Sequence, residues 1–341
     1  MGWTGSLSGV VGVACICASS VWAGTLSTDV VFTDYTPLSS NLELARRLLT
    51  PLESARLPEL VAKTGKRLSD QPIDIAQEKF VVYVPTTKPT QGYGLLVFVP
   101  PWDSDKFPSE WTTVLDQYGV IYVAAENSGN DANPIARREP LALLAEANIV
   151  KRYSVDPARI YVGGFSGGSR IAMHLALSYP DVFRGAFLNS GSDPIGARVA
   201  PVPPRDLFYR FQESSTVAFV TGEDDTLVLA TDRVSRHAMR DWCVFNVENR
   251  EMSGTGHSTA DSASLSWAFD VLDKKEQPRA GELAQCRGGI DAELADKFRE
   301  VDSLIASGDR TQAKARLDDI DSHYGGLAAP KSVELETTLE K

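Results

Sequence analysis

The run Arg159-Ile-Tyr-Val-Gly-Gly-Phe-Ser-Gly-Gly-Ser-Arg170 admits few backbones. Ile160, Tyr161 and Val162 form a short apolar stretch that stops at two glycines. Ile171, Met173, Leu175 and Leu177 then follow in a helical pattern. The pattern predicts a strand, a sharp turn and a helix, with Ser166 at the tip of the turn. Gly164-Phe165-Ser166-Gly167-Gly168 fits G-x-S-x-G, in which a serine is held in strained backbone between strand and helix. The glycines answer a steric need, because a Cβ two residues to either side would strike the neighbouring strand or helix. Such a turn exposes the serine Oγ at the positive end of a helix, where an oxyanion is also stabilised. The five-residue pattern recurs in glycine-rich loops. The strand before it and the helix after it are what make Ser166 a candidate nucleophile.

A serine hydroxyl is a weak nucleophile at neutral pH and needs a base, itself oriented by a carboxylate. On a turn of this kind the order along the chain is serine, acid, histidine, so the partners lie beyond Ser166. Thr221-Gly-Glu-Asp-Asp225 follows an apolar run at residues 217–220, at the carboxyl edge of a sheet, where active sites collect. Asp225 is the candidate acid, because a few residues of turn are needed to swing a side chain toward a histidine. Asp224 is second, and the competing reading is a solvated acidic turn or helix cap. Four histidines are present. His174 lies in the elbow helix ahead of the acid and reads as packed or capped. His237 reads as a surface residue in mid-helix, and His323 belongs to the C-terminal region. His257, in Ser253-Gly-Thr-Gly-His-Ser258 between a strand and a helix, is the candidate base. An oxyanion hole needs two N–H groups. Gly167, next after the serine, is one candidate. The other comes from Pro100-Pro101-Trp102 after an early buried strand, where the prolines have no N–H and Trp102 has one.

Residues 80–84 and 95–99 read as neighbouring strands joined as a hairpin, the second apolar throughout, as a strand buried on both faces should be. Strands at 120–125, 160–162, 185–188, 217–220 and 244–252 then alternate with helices at 111–117, 140–153, 167–179, 229–242 and 259–272. That alternation predicts an α/β fold: a mainly parallel sheet with helices on both faces. Leu42, Ala45, Leu48 and Leu49 predict a helix ending near Pro51. Residues 291–306 and 310–324 read as two amphipathic helices, a C-terminal helical hairpin with frayed residues after it. The expected organisation is a signal peptide at 1–23, a helical pre-domain at 24–76, a catalytic domain at 77–276 and a helical appendage at 277–341.

The signal peptide rests on an apolar stretch at residues 10–16 and on Val21-Trp22-Ala23, which places small residues where a signal peptidase reads. Cleavage is expected before Gly24. No Lys or Arg precedes the apolar stretch, which is too short for a membrane span. The mature chain is therefore expected to be secreted or periplasmic, with no integral membrane span. A net charge of -11 without a basic run argues against nucleic acid and against charge-driven binding to an anionic membrane. Cys243 and Cys286 remain after cleavage, and the sequence leaves open whether they pair or stay free. No His, Cys and carboxylate residues fall at metal-ligand spacing, so neither a metal nor another cofactor is expected.

Asp156-Pro-Ala-Arg-Ile-Tyr-Val-Gly-Gly-Phe-Ser-Gly-Gly168, followed by Tyr179-Pro-Asp-Val-Phe183, resembles the α/β-hydrolase esterases of the poly(3-hydroxybutyrate) depolymerase and feruloyl esterase type. Residues 80–84 with Pro85 are similar to the opening strand of that family, and residues 221–225 and Gly256-His257 to its acid and histidine loops. The resemblance covers about residues 78–272. It implies an α/β-hydrolase fold and a serine hydrolase of carboxylic esters, with Ser166, His257 and Asp225 as its triad and a small-molecule or oligomeric ester as its substrate. There are two departures. Pro100-Pro101 stands where the family usually carries His-Gly, and a helical hairpin stands where polymer-attacking members carry a linker and a substrate-binding module. Trp102, Trp111, Phe165 and Phe208 are candidates for lining the substrate pocket, with core packing as the equal alternative. Two other readings stay open. One is a peptidase of the same fold, though no large N-terminal propeller is present. The other is a catalytically degenerate hydrolase domain used as a binding module, with the C-terminal helices as a protein-contact surface and Pro100-Pro101 as its support.

Overall fold

The computed structural model describes residues 1–2, 24–63, 65, 67–68, 70–274 and 279–340. Of the expected signal peptide at residues 1–23, residues 3–23 lie outside the described residues. Eight strands form one sheet: β1 (Thr25–Val31), β2 (Lys79–Val84), β3 (Tyr93–Val99), β4 (Val120–Ala125), β5 (Val155–Phe165), β6 (Gly185–Asn189), β7 (Thr216–Gly222) and β8 (Val247–Met252). Their order is β1-β2-β4-β3-β5-β6-β7-β8. From β4 to β8 every neighbouring pair is parallel, while β2 lies antiparallel to β4 and to β1. This is the α/β-hydrolase fold.

The expected hairpin of residues 80–84 with 95–99 does not form. β4 sits between the two strands and pairs with both. Every residue of β3 is buried, so β3 needs a partner on each side and cover on each face, which β4 and β5 supply. Residues 85–92 have only to step across one strand, about 10 Å at 4.8 Å per strand spacing. Side chains of β3 divide by parity. Leu95, Val97 and Val99 join one core layer, and Leu96 and Phe98 the other. Trp111 and Phe208, candidates for the substrate pocket, are instead core residues with no exposed surface. Burial of a side chain of that size stabilises by about 2–3 kcal/mol, which is reason enough for an aromatic there.

Of the helices α1 (Asn41–Leu48), α2 (Pro51–Ala62), α3 (Thr112–Tyr118), α4 (Glu139–Arg152), α5 (Gly167–Ser178), α6 (Arg205–Ser214), α7 (Thr226–Asp241) and α8 (Ser262–Leu272), α3, α4, α5, α7 and α8 pack on the sheet, and α1 and α6 pack on α5. Residues 24–76, expected to be helical, begin with β1 at the sheet edge. The sequence hides it because Thr25-Leu-Ser-Thr-Asp-Val-Val31 is almost wholly exposed and carries no buried alternation. Pro51 starts a helix rather than only ending one: Thr50 and Glu53 form a capping box around it, with proline at a first-turn position that has no N–H to satisfy. Arg47 at the end of α1 is buried and grips Asp181 with two hydrogen bonds, 2.7 and 3.0 Å, beyond the C-terminus of α5.

At the C-terminus α9 (Ala280–Ala306) and α10 (Arg310–Tyr324) form the hairpin, with α9 starting eleven residues before the expected 291. The terminal residues, expected to fray, form α11 (Lys331–Glu340). Glu336 of α11 joins Arg56 of α2 and lies 2.8 Å from Lys314 of α10. Cys243 and Cys286 are joined in a disulfide that ties α9 to the loop after α7.

Candidate active site

The turn between β5 and α5 is as tight as its glycines suggest. Ser166 has φ 56° and ψ −123°, backbone that an L residue adopts only under constraint. A Cβ on Gly164 would lie 2.3 Å from the Gly168 carbonyl. One on Gly168 would lie 1.9 Å from the carbonyl oxygen of Val99 at the end of β3. The elbow therefore closes only with hydrogen at both positions. Its other side is fixed by the Ser166 N–H, which donates to the Asn189 carbonyl of β6 at 2.9 Å.

His257 arrives from the loop after β8. Its Nε2 lies 2.9 Å from Ser166 Oγ, and its Nδ1 lies 2.5 Å from Asp225 Oδ2. The three acidic residues after β7 separate by contact. Glu223 accepts from Ser253 Oγ at 2.8 Å and from the Gly254 N–H at 3.1 Å, so it anchors the histidine loop. Asp224 reaches that loop through its backbone, donating to the Thr255 carbonyl at 2.9 Å. The side chain that meets His257 is that of Asp225. Phe165 lies against the His257 ring at 4.9 Å between centroids, and Trp102 lies beyond it at 6.4 Å. His237 is exposed, and His323 packs on Trp242 at 5.2 Å, so neither belongs to this site.

Among the described residues, no acceptor takes the backbone N–H of Trp102 or of Gly167. What holds the Trp102 loop was not legible in the sequence. Arg138 is 4% exposed. Its guanidinium donates to the carbonyls of Pro100 (2.9 Å), Ser128 (2.9 Å) and, at 3.4 Å, Gly167. One buried cation thus ties the end of β3, the polar loop at 127–133 and the first turn of α5 together. Burial pulls its pKa down to about 10, against the opposing pull of Glu139 and Asp103. The prolines at 100 and 101 contribute their carbonyls, the second accepting from the Asn130 N–H at 3.1 Å. Asn130 was also missed: its side chain lies where a Cβ of Gly167 would be.

His174, on α5, is largely enclosed. Its Nε2 lies 3.2 Å from Asp193 Oδ2 and its Nδ1 3.6 Å from Glu139 Oε1. Burial alone would lower its pKa, but the Asp193 and Glu139 carboxylates override it and hold it up at about 9. The folded value is above the ordinary 6.5, so the stabilisation is complete below pH 6.5 and is lost as pH rises through 9. The melting temperature of the protein is therefore expected to fall between pH 7 and 10 more steeply than that of His174→Gln. Equal slopes in thermal melts would show that His174 is uncharged in the folded state. The cluster borders a cavity of about 520 Å³ that also reaches Gly167.

Among the described residues, no three His, Cys, Asp or Glu side chains are placed to hold a metal ion. No described helix is long and apolar enough to cross a membrane.

No family model matches the chain. Two characterised proteins are similar to it over short stretches. A poly(3-hydroxybutyrate) depolymerase of Ralstonia pickettii is 31% identical over 100 residues, covering 25% of this chain and 20% of that protein. Poly(3-hydroxyalkanoate) depolymerase C of Paucimonas lemoignei is 34% identical over 82 residues, 20% of each. The matched stretch spans about a fifth of the length of these relatives. Among solved structures, a ferulic acid esterase of Anaeromyces mucronatus superposes with a TM-score of 0.47 at 12% identity, over 75% of this chain and 92% of that one.

Proposed function

We propose that this α/β-hydrolase is a secreted or periplasmic serine hydrolase that cleaves carboxylic esters through an acyl-enzyme. The observation that carries the reading is the hydrogen-bonded line Asp225–His257–Ser166 on a strained elbow. Ser166 Oγ attacks the ester carbonyl while His257 Nε2 takes its proton. Asp225 holds the Nδ1–H of His257 and offsets the charge of the imidazolium that forms. The N–H groups of Gly167 and Trp102 receive the oxyanion, with the positive end of α5 behind them. His257 then protonates the departing alcohol, and water, activated by the same histidine, releases the acid. The names of the two similar depolymerases describe enzymes that break polyesters, which favours an ester over an amide as substrate. Export fits the disulfide, which persists in oxidising compartments.

The test is hydrolysis of short p-nitrophenyl esters by the purified protein and by Ser166→Ala, with fluorophosphonate labelling of both. Turnover and label are expected in the first and absent from the second. A folded protein that neither turns over nor labels would sink the reading and leave a binding module.

A further inference from the structure

The cavity beside Gly167 is a groove along α5. Gly167, Arg170, Ile171, His174 and Leu177 all line it, at spacings of three and four residues that keep one helix face. Neither His257 nor Ser166 lines it, and its link to the elbow is Gly167, next in the chain to the nucleophile. In ester cleavage His257 must hand its proton to the departing alcohol, so the alcohol leaves on the histidine side. A groove that reaches Gly167 and has no lining from His257 is placed for the acyl chain.

Its charge is unlike that of the chain, whose net charge is -11. Arg138, Arg170, His174 and Arg198 line it against Glu53, Glu139 and Asp193. The carboxylates of Glu139 and Asp193 flank His174. Arg138 is engaged by three carbonyls. Arg170 reaches only Asp193, at 3.6 Å, an aspartate already shared with His174. Among the described residues, Arg198 has no ion-pair partner. Two guanidinium groups therefore lie on the groove without a carboxylate of their own. We propose that this groove binds the acyl part of the ester and selects an acyl chain that ends in a carboxylate, held by Arg170 and Arg198. The proposal rests on the ester-hydrolase reading and adds a substrate class to it. Arg170 lies three residues beyond Gly167, about 4.5 Å along the helix at about 1.5 Å per residue. Less than one helical turn separates the two, so half-esters of short diacids are the substrate class to test. Leu48 and Leu49, at the end of α1, add apolar surface to the groove.

The experiment compares monoethyl glutarate with the neutral ethyl valerate in a pH-stat. Both arginines face solvent, so each is worth a modest amount, and a kcat/KM ratio of about ten in favour of the half-ester is expected. The ratio should shrink in about 0.5 M NaCl, as exposed charge pairs do. Arg170→Gln and Arg198→Gln should each lower it, and Arg170→Glu should bring it below one, with circular dichroism confirming the fold. A ratio at or below one in the unmodified protein, or a ratio that Arg170→Glu leaves unmoved, overturns the proposal while ester hydrolysis stands. Failure to hydrolyse either ester, together with absent fluorophosphonate labelling, overturns the underlying reading and this proposal with it.

Discussion

Asp225→Asn is expected to lower kcat for an activated ester by about 10⁴-fold, the loss typical when a buried triad aspartate becomes an amide. Its 2.5 Å contact requires the Nδ1 of His257 to carry the proton, which leaves Nε2 bare to receive the proton of Ser166. An amide at 225 can present its NH₂ to Nδ1 instead. The proton then moves to Nε2, and the base is occupied on the side that must accept. Ester binding does not involve that contact, so KM should change by less than about threefold, because only an interaction made in the transition state is removed. Asp224→Asn should leave kcat within about threefold, since Asp224 meets the histidine loop through its backbone N–H. Steady-state kinetics on the two variants separate the neighbouring aspartates. Equal large losses in both would mean that the turn as a whole, rather than one carboxylate, orients His257.

The legible parts of this chain are those where one backbone or one chain order is physically possible. Gly164 and Gly168 are legible because the carbonyls of Gly168 and Val99 leave no room for a Cβ. His257 stands out because, of the three histidines that follow both the elbow and the acidic strand end, it alone lies in a loop between a strand and a helix. The parallel run from β4 to β8 follows from apolar strands alternating with amphipathic helices. Pairing is another matter. Nothing local to residues 80–99 announces that β4, formed later in the chain, will come between β2 and β3. β1 is polar because it is an exposed edge, which is how edges avoid further pairing, and that same polarity erases its strand signal. Arg138 illustrates the limit for the site. A cation satisfied by three carbonyls from three segments has no sequence spacing to betray it. The Trp102 loop depends on that residue, so the Pro100-Pro101 departure could be weighed only once the loop's support was in view.

Removing the disulfide, by Cys243→Ala with Cys286→Ala, is expected to lower the unfolding free energy by about 4 kcal/mol. The bond closes a loop between positions 43 residues apart, and the chain-entropy treatment gives about that amount for a loop of this size. The C-terminal helices should nevertheless stay docked in the native state. Arg287, next to the cysteine, binds the Tyr209 carbonyl at 2.8 Å and Gln212 at 2.6 Å on α6. Trp242, next to the other, packs on Phe208, His323 and Tyr324 with centroids 5.2 to 6.0 Å away. Leu294, Val301 and Leu317 share one continuous core cluster with Phe208 and Trp242. A shared core makes the two parts unfold together, so urea denaturation of the variant should remain a single transition at a lower midpoint. Dithiothreitol should bring the unmodified protein to the same midpoint and leave the variant unmoved. A two-step curve would show that the bond, and not the shared core, couples the helices to the sheet. An unchanged midpoint would show that the unfolded chain gains nothing from being cut free at this point, and that the α9 interface alone holds the C-terminus.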